Sequence, residues 1–380
     1  MKILQACFSR CPDASELSDL ATIEPQLVLV FGSVALISDP LVLQALRSAF
    51  PHAELAGCSS AGEIADDGVL DEQLVITGLH FNDPGFVVAT TDLNGMTDSA
   101  GAGLRLARQL STPDLHNVIV FSQGVNVNGS ALLEGFSQGL APGVKLSGGL
   151  AGDGTAFKKT YTLSRHAVSS EQMVAIGFTS PNLEVKHASL HGWNPFGPAR
   201  AVTRCEGNVL YELDGAPALE VYKEYLGAYA KDLPGSGLLF PFEMLSRDHQ
   251  TMGLIRTILG IDEAVGSLTL AGDIAEGCYL RLMHATTDSL VDGAHEAAIA
   301  AGVDGQSSAQ HLALLVSCVG RKLVMGARVD EEVEAVTAVF GGNVRVAGFY
   351  SYGEISPGSH DSGTSDLHNQ TMTITHLTER

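Results

Sequence analysis

Three glycine-rich loops of similar sequence each carry an acidic residue at the same place. The pattern A-G-x-x-S-x-G-E-I occupies residues 56–64 and again residues 347–355, and a shorter copy ends in Gly152-Asp153. A carboxylate at such a turn either accepts backbone N–H bonds and anchors the loop, or it faces a ligand. We favour the anchoring role and keep the ligand role as the alternative. The candidate ligand-loop residues are Gly62, Glu63, Asp153, Gly353 and Glu354.

The loop acids and two cysteines are the residues that could support catalysis. Cys58 and Cys318 follow strand-like runs, where a thiol can act as a nucleophile. Glu63 and Glu354 would form a carboxylate pair if their loops met in one cleft. Cys318 lies in an apolar run, however, and the chain has no GxSxG, HExxH or Walker motif. The sequence therefore predicts that the protein is not an enzyme, with a carboxylate-based or cysteine-based site as the alternative.

Each acidic loop belongs to a repeated order of strand, helix, strand, loop and strand. The copies cover residues 27–81, 118–178 and 313–377, the middle one with the weakest similarity. Continuous apolar runs are typical of buried strands, and Asp39-Pro40 opens a helix with an N-cap acid and a proline at its first position. The pattern predicts an α/β fold, with mixed α+β as the alternative, built from duplicated strand-helix-strand-loop-strand units and mixed sheets.

Length and charge limit the domain organisation and the partners. A chain of 380 residues suits two domains, which we place at residues 1–205 and 206–380. The formal net charge of −21 repels phosphate backbones and anionic lipid, which argues against nucleic-acid and membrane partners. The sequence has no apolar run of about 18 residues and no apolar signal region near residue 1, which predicts a cytoplasmic protein.

Six phrases together resemble the FIST family. In chain order they are GCSSAGEI, GGLAGDGTAF, GWNPFG, VLYELDGAPALEVYKEYLG, SC-x-x-R and GFYSYGEI, and the ending LHNQTMTITHL fits as well. The resemblance implies an N-terminal and a C-terminal FIST domain with a sensory, ligand-binding role in bacterial signal transduction. Some family members are associated with small molecules such as amino acids. One branch, the NosP-like proteins, binds haem and senses nitric oxide.

The resemblance to that branch implies haem b as the cofactor. It also implies a histidine kinase or a cyclic-di-GMP synthase or phosphodiesterase as the partner. Nitric oxide at the iron would weaken the bond to the axial ligand and so change the surface offered to the partner. We therefore predict a haem-binding nitric oxide sensor. The alternative is a haem-free FIST sensor of an amino acid or other small molecule, and a homo-oligomer is compatible with both.

His191 is the candidate axial ligand, because haem iron is held by histidine, thiolate, methionine or tyrosine. It ends a strand-like segment, and Gly192 would let a flat ligand approach the backbone. Arginines beyond it would pair with the propionates. The other predicted haem contacts are Trp193 and Phe196 on the macrocycle, and Arg200 and Arg204 on the propionates.

Other residues leave the identity of the axial ligand open. The next axial candidates are His187, His295 and Cys11. His191 would instead be an ordinary hydrogen-bonded residue, with Trp193 in the core, if the GWNPFG segment simply closes a strand. His376 ends a predicted strand, which suggests a surface edge, and His368 is expected in a turn beside Asn369.

Overall fold

The computed structural model describes residues 1–66, 68–302, 310–358 and 365–380. The strands are β1 Lys2–Phe8, β2 Leu27–Gly32, β3 Glu54–Ser59, β4 Glu63–Ala65, β5 Gly68–Leu70, β6 Leu74–His80, β7 Phe86–Asp92, β8 Asn117–Ser122, β9 Lys145–Leu150, β10 Thr162–Ser164, β11 Val168–Ser169, β12 Gln172–Phe178, β13 Leu183–Leu190, β14 Asn194–Pro195, β15 Arg200–Glu206, β16 Val209–Leu213, β17 Ala216–Pro217, β18 Phe242–Leu245, β19 Thr251–Arg256, β20 Ile258–Asp262, β21 Ser267–Leu270, β22 Tyr279–His284, β23 His311–Cys318, β24 Val344–Ser351, β25 Gly353–Pro357, β26 Ser365–His368 and β27 Met372–Glu379. The α-helices are α1 Ser18–Ala21, α2 Val34–Ile37, α3 Pro40–Ala49, α4 Ser99–Leu110, α5 Gly129–Gly139, α6 Ala218–Leu226, α7 Thr287–Ala300, α8 Val319–Met325 and α9 Asp330–Phe340. Short 3-10 helices lie at Met96–Asp98, Gly227–Asp232, Gly235–Leu239 and Gly326–Arg328.

The chain repeats one sheet arrangement three times, in unit 1 (residues 27–80), unit 2 (117–178) and unit 3 (311–379). In each unit the first strand pairs parallel with the second and antiparallel with the last. These sets are β2 with β3 and β6, β8 with β9 and β12, and β23 with β24 and β27. The predicted α/β fold with duplicated units and mixed sheets is confirmed.

The acidic loops exchange short strands between the units. The second strand of each unit pairs at its far edge with a strand from the loop of another unit, namely β3 with β10, β9 with β25 and β24 with β4. Unit 2 thus contributes a strand to unit 1, unit 3 contributes one to unit 2, and unit 1 contributes one to unit 3. The sequence similarity indicated the loops but not this closed exchange, because cross-unit pairing leaves no local pattern.

A second architecture lies between units 2 and 3 in the chain. Strands β14 to β22 form one antiparallel sheet, whose main order is β19-β18-β22-β15-β16-β21-β20, and α6 packs against it. The predicted division between residues 205 and 206 falls within the β15–β16 hairpin. That division stays a prediction. None of the described helices is long and apolar enough to cross a membrane.

Phenylalanine rings join the three units, and glycines allow very close backbone packing within each unit. Phe31, Phe121 and Phe349 come from three different units, and their ring centroids are 4.9–5.9 Å apart. Within unit 3, a Cβ atom on Gly348 would collide with the carbonyl oxygen of Leu315. Equivalent glycines in the other units, Gly57 and Gly148, meet the carbonyls of Val30 and Val120 in the same way. Any side chain here would force the paired strands apart.

Candidate functional site

Glu63 and Glu354 are buried and hold their loops in the same manner. Glu354 accepts hydrogen bonds from the Ser351 hydroxyl at 2.6 Å and from the Thr371 backbone at 3.1 Å. Glu63 accepts from the Ser60 hydroxyl and from the backbone of Gln73 at 3.0 Å. Each acid thereby ties its loop to the residue that precedes the last strand of the unit. Both take the anchoring role.

Asp153 anchors the middle loop by a different set of bonds. Its carboxylate accepts the backbone N–H groups of Phe157, Lys158 and Lys159, each at 2.8 Å, and the Tyr352 hydroxyl. Burial alone would raise the pKa of Asp153, but the bonds from Tyr352 and the three amides lower it. The acid therefore fixes a loop that presents two adjacent lysines.

Burial raises the pKa of Glu354 from 4.5 to about 7, although its hydrogen bonds act in the opposite direction. A folded-state pKa above the unfolded value means that this contribution to stability is complete below pH 4.5 and is lost as the pH rises through about 7. The loss amounts to about 3 kcal/mol by pH 8. Burial also raises the pKa of Glu63 to about 7, so Glu63 contributes to the pH dependence of stability with the same sign.

We expect Glu354→Gln to keep the free energy of unfolding that the parent protein loses between pH 5 and pH 8. Urea denaturation at several pH values measures the difference between the two curves. The exposed Glu220 of α6 provides a control, since Glu220→Gln should leave the curve parallel to that of the parent. A parallel curve for Glu354→Gln would show that the carboxylate does not titrate in this range.

His191 lies directly after β13 and is mostly buried. Burial lowers its pKa, and nearby Glu243 only partly opposes this, so the ring is neutral at pH 7. Its Nδ1 accepts the backbone N–H of Trp193 at 2.9 Å, which places the ring proton on Nε2. Its backbone carbonyl accepts a hydrogen bond from Arg321. An iron ligand at His191 would have to break the bond at Nδ1 or lose the proton at Nε2.

The other predicted haem contacts do not converge on His191. Trp193 is buried among apolar side chains and donates its indole N–H to the carbonyl of Gln370 at 3.0 Å. Phe196 is 45% exposed and contacts the ring of His284. Arg200 is bonded to Tyr225 and Asp214, and Arg204 to Glu212. The arginines are therefore already paired at the surface.

The remaining axial candidates lie in separate places. His187 is bonded to the Asn117 side chain at 2.8 Å, and burial lowers its pKa to about 3. His295 is exposed on α7, and the thiol of Cys11 contacts the Pro12 carbonyl. Across the described parts of the chain, no group of three or more His, Cys, Asp or Glu residues is placed to hold a metal ion. The predicted axial candidates and haem contacts therefore lie apart from one another in the described structure.

The structure instead brings together unpartnered polar atoms at His368, Asn369 and Gln370. Four buried atoms in these consecutive residues have no hydrogen-bond partner in the described structure: His368 Nε2, Asn369 Nδ2, Asn369 Oδ1 and Gln370 Oε1. All three side chains are at least nine-tenths buried. Ser356 Oγ, on the strand paired with β26, is also buried and unpartnered. Unpaired buried polar groups destabilise a fold unless something binds them.

Charged groups surround this segment. Burial lowers the pKa of Arg256 to about 10, and its guanidinium donates to the carbonyls of Leu367 and Ile255 at 3.1 Å. Burial, together with the charge of Arg256, lowers the pKa of His368 to about 4. His368 is therefore neutral at pH 7. On the other side, Glu354 bonds both the backbone and the hydroxyl of Thr371.

The equivalent position in unit 1 holds an ammonium group. The strand registers align Val30 with Leu315 and Ile76 with Ile374, which makes Asp71 the counterpart of Asn369. Lys322 of α8 reaches this position, where its Nζ donates to the Ala61 carbonyl at 2.9 Å and pairs with Asp71. The equivalent position thus holds a charged side chain in unit 1 and unpartnered polar atoms in unit 3.

A buried ion pair between α8 and α9 lies next to unit 3's candidate site. Arg321 and Glu332 have fully buried side chains and pair at 2.7 Å. Glu332 also accepts hydroxyl bonds from Ser317 and Tyr350, and Arg321 donates to the carbonyls of His191 and Leu290. This network ties α8 and α9 to the end of β13.

Sequence reasoning missed the His368–Gln370 segment. It lay within a quoted family phrase, but it was expected to be only a turn. The unpartnered state of its atoms depends on strands from distant parts of the chain, so the available signal was the run of polar residues directly before an apolar strand. His376 was expected at a surface edge, and this was wrong. It is 2% exposed because β27 lies between β13 and β23.

Comparison with known sequences matches two family models to the chain. The FIST N domain matches residues 26–216, and the FIST C domain matches residues 218–357. The chain belongs to the FIST family. FIST domains are sensory ligand-binding domains, which confirms the expected sensory class. Membership of the haem-binding branch stays a prediction.

Similar proteins extend over nearly the whole FIST chain. Uncharacterized protein Mb0898c of Mycobacterium bovis is 26% identical over 94% of this chain and 91% of its own length. Uncharacterized protein Rv0628c of Mycobacterium tuberculosis is 27% identical over 94% and 92%. A crystal structure of a cyanuric acid hydrolase from A. caulinodans covers 100% of this chain and 99% of its own, at a TM-score of 0.39 and 10% identity. A likeness that weak says nothing about the activity of this chain.

Proposed function

We propose that this FIST protein is a non-enzymatic sensor of a small molecule that carries both an ammonium and a carboxylate group, as an α-amino acid does. The ligand binds at His368, Asn369 and Gln370. The observation that carries the proposal is the set of four buried polar atoms there without partners in the described structure. Leaving such groups unpaired costs about 1–3 kcal/mol each, so a ligand that pairs them is strongly favoured.

The unpartnered atoms define the chemistry of the ligand. The ring of His368 already hydrogen-bonds to the backbone of Ser356 in a way that raises its pKa, as a donated bond does, so Nε2 of the neutral ring is an acceptor. Asn369 Oδ1 and Gln370 Oε1 are acceptors as well, and Asn369 Nδ2 is a donor. Three acceptors suit the three N–H bonds of an ammonium group, and one donor suits a carboxylate.

Two features of the surroundings support an ammonium ligand. Glu354 lies on the strand paired with His368 and supplies negative charge when ionised. In unit 1 the ammonium of Lys322 occupies the equivalent position and pairs with Asp71. The fold thus already places an ammonium group at this position of one unit.

The thiols support binding rather than covalent chemistry. Burial raises the pKa of Cys58 well above its usual value, and burial also raises that of Cys318, which ends β23 beside the proposed site. A protonated thiol is a poor nucleophile. Glu63 and Glu354 are committed to loop anchoring. A role without catalysis is therefore the simplest account of these residues.

Ligand binding would act on the contact between unit 3 and the nine-stranded sheet. Arg256 of β19 bonds the carbonyl of Leu367, and Trp193 bonds the carbonyl of Gln370. A ligand that orders residues 365–371 thus biases both contacts, which is what a sensor needs if a partner is to distinguish two states. A histidine kinase or a cyclic-di-GMP synthase or phosphodiesterase remains the partner class that the family resemblance implies.

Thermal denaturation with the twenty amino acids, one at a time, tests the proposal, and calorimetric titration measures the affinity of those that raise the melting temperature. We expect Asn369→Leu to abolish binding and to increase the unliganded stability by about 1–2 kcal/mol, because it removes two unpaired polar atoms. The gain in stability separates a lost site from a misfolded variant.

Ser122 provides the matched control. Its hydroxyl is also buried and unpartnered among the described residues, but it lies at the end of β8 in unit 2. Ser122→Ala should keep the affinity of the parent protein. Equal binding by the parent and Asn369→Leu, or no binding of any amino acid, would contradict the proposal.

Haem binding with nitric oxide sensing is the second candidate. The observation that favours it is the neutral imidazole of His191, since a metal ligand must be unprotonated. Titration of the protein with haem, beside His191→Ala, tests it. A Soret band that saturates at one equivalent and is lost in the variant would support the haem sensor. No specific band in either protein would remove it and leave the amino-acid sensor.

A further inference from the structure

Unit 2 contains a cavity beside the segment that corresponds to His368–Gln370 of unit 3. The cavity has a volume of about 530 Å³ and lies at the carboxyl end of β8 and before β12. Val120 pairs with Ala175 as Leu315 pairs with Ile374, so Ser170 is the counterpart of Asn369. The carboxyl ends of parallel strands are the usual place for ligands in α/β sheets.

The cavity wall contains an amide that lacks a partner. Gln123 follows β8 directly and is 4% exposed, and its Nε2 is buried with no hydrogen-bond acceptor in the part of the chain that the structure describes. Gln123 is one of the residues that line the cavity, so this amide belongs to the cavity wall. A buried donor without a partner indicates a ligand with an acceptor atom.

Two lysines give the cavity a cationic rim. Lys158 and Lys159 line it, and both have exposed side chains that form no ion pair among the described residues. Lys159 lies over the ring of Tyr161. Glu171 is the single acid among the described lining residues, so the lining keeps a positive balance in a chain whose net charge is −21.

The loop that carries the lysines is already fixed in position. The backbone N–H groups of Lys158 and Lys159 both donate to Asp153, the acid of the middle glycine loop. Thr160, the next residue, lines the cavity, and its hydroxyl oxygen accepts a hydrogen bond from the backbone N–H of Gly124. A preorganised cationic loop loses little conformational entropy when it binds an anion.

We propose that this cavity is a second binding site, specific for a small organic carboxylate without an ammonium group, which the two lysines would repel. Lys158 and Lys159 pair with the carboxylate, and the amide of Gln123 donates to its oxygen. The site does not depend on a ligand at His368. Its lining differs from that segment, since it offers two cations and a donor rather than several acceptors.

Calorimetric titration of the full chain with succinate, which has carboxylates and no ammonium group, tests this site. We expect binding by the parent protein and an affinity about tenfold lower in Lys158→Gln and in Gln123→Leu, as the loss of one charge-assisted or buried hydrogen bond predicts. Lys231→Gln removes the same charge from an exposed position outside the cavity and should bind succinate as the parent does.

Three results would overturn the proposal. They are no heat with succinate, equal affinity in the parent and both cavity variants, or inorganic phosphate binding with succinate inactive. The last would assign the cavity to a different anion. Because Lys158 is exposed, Lys158→Gln should fold even if Gln123→Leu does not, and circular dichroism checks this. Loss of amino-acid binding in Asn369→Leu leaves this test unaffected, so the two sites can fail separately.

Discussion

Arg321→Met is expected to lower the free energy of unfolding by about 3–5 kcal/mol, because it leaves the Glu332 carboxylate buried without its cation. Both side chains have no exposed surface, and Arg321 joins Glu332 to the carbonyls of His191 and Leu290. Urea denaturation measures the loss. The variant should also weaken ligand binding at His368–Gln370, since the charge of Arg321 acts on Glu354.

The double variant Arg321→Met with Glu332→Leu separates the pair from its packing. Replacing both charges by apolar groups of similar size is often neutral for stability, so the double variant should recover most of the loss. Lys322→Met, one residue along α8, removes a lysine whose partner Asp71 is largely exposed, and it should cost less than Arg321→Met. If Arg321→Met were as stable as the parent, the buried network would not hold the region together.

Gly348→Ala is expected to prevent folding or to cost more than about 4 kcal/mol, an unusually large effect for a single methyl group. Its Cβ atom would overlap the carbonyl oxygen of Leu315 in the neighbouring parallel strand. Backbone atoms cannot move aside as a flexible side chain can, so β23 and β24 would separate. The yield of folded protein shows whether the variant folds, and urea denaturation measures its loss of stability.

Gly342→Ala is the matched control in the same segment of chain. A Cβ atom there meets nothing within 4 Å, and this glycine does not have a positive φ. Its stability should change by less than about 1 kcal/mol. A mild effect of Gly348→Ala would show that the strands of unit 3 are not packed as closely as described.

The repeated units could be predicted from the sequence because their signals are local. Apolar runs, the Asp39-Pro40 helix start and the two A-G-x-x-S-x-G-E-I phrases lie within short stretches of chain. The strand exchange could not be predicted, because β4 joins unit 3 through a pairing of Ile64 with Gly348, almost 300 residues apart. Nothing local in either segment specifies that partner.

The candidate site was harder to predict from the sequence than the repeated units, because its arrangement depends on packing between distant segments. A spacing argument grouped Trp193, Arg200 and Arg204, but Trp193 points into a core while the arginines pair at the surface. The unpartnered atoms of Asn369 and Gln370 arise only when β25, β26 and β19 surround them. Residue type predicted that these groups are polar, and only the fold decides which of them lack partners.

The most direct test of an amino-acid site at His368–Gln370 is a magnetic-resonance titration of protein labelled with ¹⁵N-asparagine, using the amino acid with the highest affinity. The side-chain amide signals of Asn369 are identified by their absence from Asn369→Leu. If the ligand binds at Asn369, these signals shift and saturate with the calorimetric binding curve. Signals that stay in place while the amino acid binds would put the ligand elsewhere and contradict the assignment of this segment as the sensory site.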